Sequence, residues 1–108
     1  MARQLARIGE SVIAGTDSEG ATVGSKVAGG KTMVGIATPV ELTGPCWLEA
    51  SVDEGTTWRR VQAYGIDIAL PANRFVIVDG IPARFLRAAS DEPQFDQRVF
   101  VVWSILSI

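Results

Sequence analysis

The residue types that most enzymes use for catalysis are scarce in this chain of 108 residues. It has no histidine, which removes the commonest general base, the usual zinc ligand and every Ser–His or Cys–His nucleophile pair. Its single cysteine, Cys46, stands beside Trp47 on an apolar segment and is typical of a small buried side chain. We therefore predict no catalytic residues, no cofactor and no enzymatic activity. We consider three hypotheses for the function of this chain. An enzyme that uses carboxylates is the weakest of them, because no pair of acidic residues has a recognisable catalytic setting.

Two segments could bind a phosphate or a metal ion, but neither has the full pattern. The Gly-Gly-Lys-Thr sequence at 29–32 resembles the end of a phosphate-binding loop, yet Ser25 stands where that loop needs its first glycine. The acidic residues Asp91, Glu92 and Asp96 could hold calcium, yet they lack the twelve-residue pattern of an EF-hand. A flexible loop and a solvated loop are the favoured interpretations, so we predict no metal site.

The clearest local signal is a β-hairpin over residues 46–62. The segment before the turn alternates apolar and polar side chains, and the segment after it begins with Trp58. Between them, Asp53 can accept hydrogen bonds from backbone N–H groups, and Gly55 tolerates a positive φ without a Cβ clash. These residues predict a tight turn that joins two antiparallel strands.

Short apolar or alternating segments separated by turn residues continue along the rest of the chain, and none shows the spacing of an amphipathic helix. They predict an all-β protein, a single-domain antiparallel β-sandwich or a jelly-roll-like barrel with seven or eight strands. The final segment, 98–106, is the longest apolar run, which indicates a central strand or one whose outer face meets another subunit. The expected strands cover 10–14, a stretch broken by Pro39 into 32–37 and 40–43, and then 46–52, 58–61, 66–70, 74–78, 83–89 and 98–106.

The chain divides into two parts by composition. Residues 1–31 are expected to form an N-terminal arm, over 1–9, followed by a flexible Gly-rich segment, whereas residues 32–108 form the β-sandwich core. The arm carries Arg3 and Arg7 and is expected to dock on a neighbouring molecule.

Net charge, the length of apolar runs and hydrophobic content limit the classes of molecule that this chain is expected to contact. The net charge of -2 argues against a nucleic-acid binder, which is usually basic. No apolar run approaches the ~18 residues of a membrane helix, and no signal peptide is expected at the N-terminus. A hydrophobic content of 47% is high for a small protein and indicates that other subunits cover part of the surface.

The hairpin sequence Ser51-x-Asp53-x-Gly55-x-Thr57-Trp58 resembles the Asp-box, a motif of the form Ser/Thr-x-Asp-x-Gly-x-Thr-Trp. That resemblance implies a structural role, in which the aspartate caps the turn and the aromatic ring packs beneath it. The motif occurs in sialidase-like propellers, but one copy in a chain of this length is too little for such a fold.

A second resemblance covers more of the chain. The Asp-box-like hairpin followed by the segment 81–87, Ile-Pro-Ala-Arg-Phe-Leu-Arg, is similar to small β-sandwich proteins of tailed-phage virions. It implies a capsid decoration, head-fibre or tail-associated protein that forms homo-oligomers, is made in the host cytoplasm and is located in the virion. Similar pairs of segments occur in carbohydrate-binding sandwiches, so the resemblance is more informative about fold than about role.

Two hypotheses therefore lead. The preferred one is a virion structural protein whose partners are copies of itself and other virion proteins, with five candidate interface residues: Arg3, Arg7, Arg84, Arg87 and Trp103. The alternative is a carbohydrate-binding module that recognises surface glycans through exposed tryptophans. Against that alternative, the hairpin and the apolar final strand give the tryptophans roles in the core or at a subunit interface.

Overall fold

The computed structural model describes residues 3–24, 33–79 and 85–107. Within these ranges the chain forms ten β-strands and no helix, which confirms the predicted all-β class. The strands are β1 (Arg3–Ile13), β2 (Val23–Gly24), β3 (Met33–Ala37), β4 (Cys46–Ser51), β5 (Arg59–Arg60), β6 (Gln62–Ala63), β7 (Ile66–Asp67), β8 (Phe75–Val78), β9 (Phe85–Ser90) and β10 (Arg98–Ser107).

Two four-stranded sheets and one small hairpin account for these strands. Sheet 1 has the order β1-β10-β3-β8, and sheet 2 has the order β2-β9-β4-β5. Every neighbouring pair is antiparallel. The strands β6 and β7 pair with each other alone. The architecture is consistent with the β-sandwich that the sequence predicts.

One contiguous apolar core is built from alternate residues of both sheets. Because successive side chains of a strand point to opposite faces, one row of each strand enters this core. Sheet 1 contributes residues such as Phe100 and Ile36, and sheet 2 contributes Leu48 and Leu86, all of which are nearly inaccessible to solvent. The predicted final strand, β10, lies between β1 and β3, so its central position agrees with its apolar sequence.

The N-terminal segment differs from the expected arm. Residues 1–9 were expected to extend away from the core, but the strand Arg3–Ile13 pairs with β10 along its length and is an integral part of sheet 1. The physical reason is that Ile8 and Ile13 supply apolar side chains to the core. Residue 31 is therefore not a boundary between arm and core, since Val23 also belongs to the core. The glycines at 29 and 30 lie outside the described residues.

Two other expected strands are shorter than predicted or absent. The segment 40–43 contains no strand, because the backbone N–H and C=O of Thr43 are bonded to the side chain of Gln94 rather than to a neighbouring strand. Of the expected strand at 66–70, only Ile66–Asp67 is paired in a sheet, with β6. Ala69 forms a single bridge with Trp47.

Gln94 is a buried polar residue that fixes three loops to one another. Its Oε1 accepts a hydrogen bond of 2.8 Å from the Thr43 N–H, and its Nε2 donates one of 2.6 Å to the Thr43 C=O. Its backbone N–H donates to Asp17 and its C=O accepts from Thr16, at 2.9 and 2.7 Å. Arg98 Nε donates to the same Oε1 at 3.2 Å. One side chain thus substitutes for a strand partner in a region without regular pairing.

We predict that Gln94→Ala lowers the free energy of unfolding by about 2–3 kcal/mol, because it leaves buried polar groups of Thr43 without partners. Urea denaturation measures the effect. Gln97→Ala, which truncates an exposed glutamine in the same loop, is the matched control and should change stability by less than about 0.5 kcal/mol. Equal midpoints for the two variants would contradict the structural role of Gln94.

Candidate interaction surface

The turn of the Asp-box-like hairpin has the geometry that the motif predicts. Asp53 Oδ1 accepts a hydrogen bond of 2.8 Å from the Thr57 N–H and one of 2.7 Å from the Ser51 hydroxyl. Ser51 Oγ in turn accepts from the Gly55 N–H at 2.8 Å. Gly55 has a φ of 86° and Glu54 has a φ of 60°, both in the left-handed region. The carboxylate and the hydroxyl together satisfy the backbone of a sharp turn.

The hydrogen bonds to Asp53 also change its acidity. The backbone N–H of Thr57, followed by the hydroxyl of Ser51, lowers the pKa of Asp53 to about 2, because both donors stabilise the ionised carboxylate. Trp58 closes the motif by donating from its indole Nε1 to the Gly55 C=O at 3.1 Å. The side-chain hydrogen bonds of Ser51, Asp53 and Trp58 all lie within the turn, which supports a structural role.

The outer face of sheet 2 is polar and internally paired. The guanidinium of Arg87 lies 4.3 Å from the centre of the Trp58 ring and donates from Nε to Glu49 at 2.7 Å. The guanidinium of Arg60 lies 4.5 Å from the centre of the Trp47 ring and pairs with Asp91 at 2.6 Å. Cation–π contacts and ion pairs thus neutralise this face.

This arrangement bears directly on the carbohydrate hypothesis. A sugar binds a tryptophan by stacking on the face of its ring, and arginine already occupies that position on Trp47 and on Trp58. The indole N–H of Trp47 is also engaged, because it donates to Asp91 at 3.1 Å. These two rings therefore do not form an open platform.

The outer face of sheet 1, which we call the apolar face, has a different character. Alternation and strand register place on it one row of residues from each of the four strands. In β10, for example, Ile105 is only 7% exposed but does not belong to the core between the sheets, because its side chain is on this outer face. The described members of the apolar face are Leu5, Arg7, Glu10, Val12, Met33, Gly35, Ala37, Phe75, Ile77, Val99, Val101, Trp103 and Ile105.

Several members of the apolar face are large and accessible. Leu5 is 55% exposed, Phe75 is 45% exposed and Ile77 is 54% exposed. The ring of Phe75 lies across Gly35, where an added Cβ would come within 2.6 Å of the ring atom Cε1. The absence of a side chain at Gly35 thus lets an aromatic ring lie flat on the sheet.

A β-bulge in β1 places two charged side chains, Arg7 and Glu10, on this face. Arg7 pairs with Trp103 and Glu10 pairs with Val101, and the register shifts between Arg7 and Gly9. In a regular strand, residues three apart point to opposite faces, but the extra residue of a bulge reverses this alternation. Arg7 and Glu10 therefore share the outer face, where they form an ion pair.

The structure brings together only some of the candidate interface residues. Arg7 and Trp103 are register partners on the apolar face. Arg87 is on sheet 2, where it is engaged with Glu49 and Trp58. The side chain of Arg3 and all of Arg84 lie outside the described residues.

The remaining chemical candidates are accounted for by the fold. Cys46 is buried, and burial raises the pKa of its thiol to about 11, so it belongs to the core as predicted. No group of three or more acidic or cysteine residues suited to a metal ion occurs among the described residues. Nor does any helix in those ranges have the length and apolar character to cross a membrane.

The residues that sequence reasoning missed are Gln94, Glu10 and Gly35. The glycine at position 9, isolated between strand-like residues, could have indicated the bulge that brings Glu10 to the apolar face. No local signal marks Gln94, whose importance arises from contacts with a loop 51 residues away. No family model, curated protein or solved structure gave a significant match to this chain.

We predict that Asp53→Asn lowers the melting temperature at pH 7, because a charged carboxylate accepts hydrogen bonds more strongly than an amide. The folded-state pKa of about 2 lies below the unfolded value of about 3.9, so the stabilisation is present above pH 4 and is lost as pH falls towards 2. Thermal melts across this range should show the difference from wild type closing.

The matched control for this prediction is Glu54→Gln, which removes one exposed charge from the same turn. A difference for Asp53→Asn that stays constant between pH 7 and pH 2, or one that Glu54→Gln reproduces, would show that the hydrogen-bonded carboxylate is not its source.

Proposed function

We propose that this chain is a structural subunit of a phage particle, a capsid decoration, head-fibre or tail-associated protein that attaches through homo-oligomeric and neighbour contacts. The observation that carries the proposal is the apolar face of sheet 1. A four-stranded sheet normally presents polar side chains on the side away from its core, whereas this one presents leucine, valine, isoleucine, phenylalanine and tryptophan.

The size of the apolar face supports a role in assembly. Four strands at about 4.8 Å spacing make a face roughly 19 Å wide, and the longest strands extend it to roughly 33 Å. Because β3 and β8 are shorter, the outline of the face is several hundred Å², a substantial part of the ~800 Å² that each partner contributes to a standard protein interface. Scattered exposed apolar residues are ordinary, but a contiguous patch of this size marks an interaction site.

The particle itself is inferred from the resemblance of the hairpin and the segment 81–87 to virion sandwiches. A structural role is also supported by the described residues, since the polar groups of the Asp53 turn, the Cys46 thiol and the arginine–tryptophan pairs all have partners within the chain. Density-gradient purification of particles that encode this chain tests the proposal. The chain should band with the particles in constant stoichiometry, and a chain that stays entirely in the soluble fraction would contradict it.

The carbohydrate-binding alternative finds less support in the geometry. Its platform would need open aromatic faces, and those of Trp47 and Trp58 carry guanidinium groups. Trp103 lies on the apolar face, where it has Gly35 and Arg7 as cross-strand neighbours. A subunit contact uses that whole surface, whereas a sugar would use one ring.

We predict that Ile77→Glu prevents self-association, because it introduces a charge among the exposed apolar side chains of the apolar face, where Ile77 is 54% exposed. Analytical ultracentrifugation should show the mass of an oligomer for wild type and of a single chain for Ile77→Glu. The matched control is Ile66→Glu on the separate β6–β7 hairpin, where the isoleucine is 71% exposed. The control should sediment as wild type; a wild-type protein that is monomeric at every concentration would contradict the proposed function.

A further inference from the structure

We propose that the occupant of the apolar face is a second copy of this chain, packed face to face about a two-fold axis. The axis lies midway between sheet 1 of one copy and sheet 1 of the other. It runs perpendicular to the strands and passes over β1 between Arg7 and Glu10. This inference rests on the proposed function and deepens it, because it names the partner of the same surface and its orientation.

The charges on the face select this partner. Arg7 and Glu10 have opposite signs, their side chains are 50% and 40% exposed, and they are the only charged side chains that the structure describes on the face. A partner carrying one sign of charge would meet attraction at one position and repulsion at the other. A second copy, rotated about the stated axis, presents glutamate opposite arginine and arginine opposite glutamate. The face is therefore complementary to itself, as an interface between two-fold-related copies requires.

The exposure of apolar side chains on β1 fits the same axis. Register places Leu5 level with Ile105 at one end and Val12 level with Val99 at the other. Leu5 is 55% exposed, whereas Val12 is only partly accessible. The two-fold places Leu5 of each copy opposite Val12 of the other, so that an exposed apolar side chain gains an apolar partner.

The centre of the face is apolar and the edge is charged, which is the usual distribution in protein interfaces. The axis passes between the levels of Trp103 and Val101 on the central strand β10, while Arg7 and Glu10 lie on the edge strand β1. Two sheets stacked in this way would lie about 10 Å apart with their strands within about 30° of antiparallel alignment.

Charge reversal tests the pairing directly. Arg7→Glu puts two carboxylates on the face, and Glu10→Arg puts two guanidinium groups there. Because the two-fold repeats each contact, either variant alone should self-associate about ten-fold more weakly than wild type. An equimolar mixture of the two should form a heterodimer within about three-fold of the wild-type affinity, and so should the double variant R7E/E10R as a homodimer. Sedimentation equilibrium at low and high salt measures these affinities, with the single-variant deficits smaller at high salt.

The outcomes separate this inference from the proposed function. Wild type that dimerises while neither single variant weakens, or while the mixture shows no rescue, would overturn the two-fold pairing and leave an assembly protein with another contact. Ile77→Glu that still dimerises while Arg7→Glu does not would indicate edge-to-edge pairing through β1 and would also overturn it. Wild type that stays monomeric would overturn both.

Discussion

The two-residue alternation of a β-strand is the constraint on which the architecture depends, and β10 shows its consequence most clearly. A strand that carries apolar side chains at successive positions cannot place all of them in one core, since half of them must point the other way. In β10, Phe100 and Val102 enter the core, whereas Val101 and Trp103 face outward. The outward row has no second layer within the described residues. A partner outside the chain would remove that surface from water, which is favourable by about 25 cal/mol per Å².

The outer faces of the two sheets differ in whether residues of the same chain cover their large side chains. On sheet 2, large rings are covered by arginines of the same chain, and the arginines are paired with carboxylates, so that face is complete in the monomer. On the apolar face of sheet 1, the only charged side chains that the structure describes form a single ion pair at the edge. The difference between the faces lets one surface associate while the other remains in water.

The sequence predicted the fold class, the hairpin and the core cysteine, because each depends on local patterns. The Asp-box residues Ser51 and Asp53 act within four residues of each other, so their spacing alone determines the turn. The second half of the N-terminal strand falls within the expected strand 10–14, but its first half was missed because the bulge near Gly9 disrupts its alternation, and a strand is recognised by alternation. Gln94 was missed for another reason, since its partners are brought close only by the completed fold.

The form of the edge strands favours a closed pair over an open fibre. Sheet 1 ends in β8, which has four residues, and in β1, whose bulge interrupts regular pairing and whose charges lie near the edge. Short edges, bulges and charges all oppose the addition of further strands. Buried polar contacts, such as the Ser11 hydroxyl that donates to the Ala21 C=O and accepts from the Ala88 N–H, hold β1 against sheet 2 before any partner arrives. A face held in its bound shape loses little conformational freedom on association. The addition of strands at the edges is therefore hindered, whereas stacking on the apolar face is not. The proposed two-fold contact would cover that face completely, so none of its apolar surface would be left for further copies.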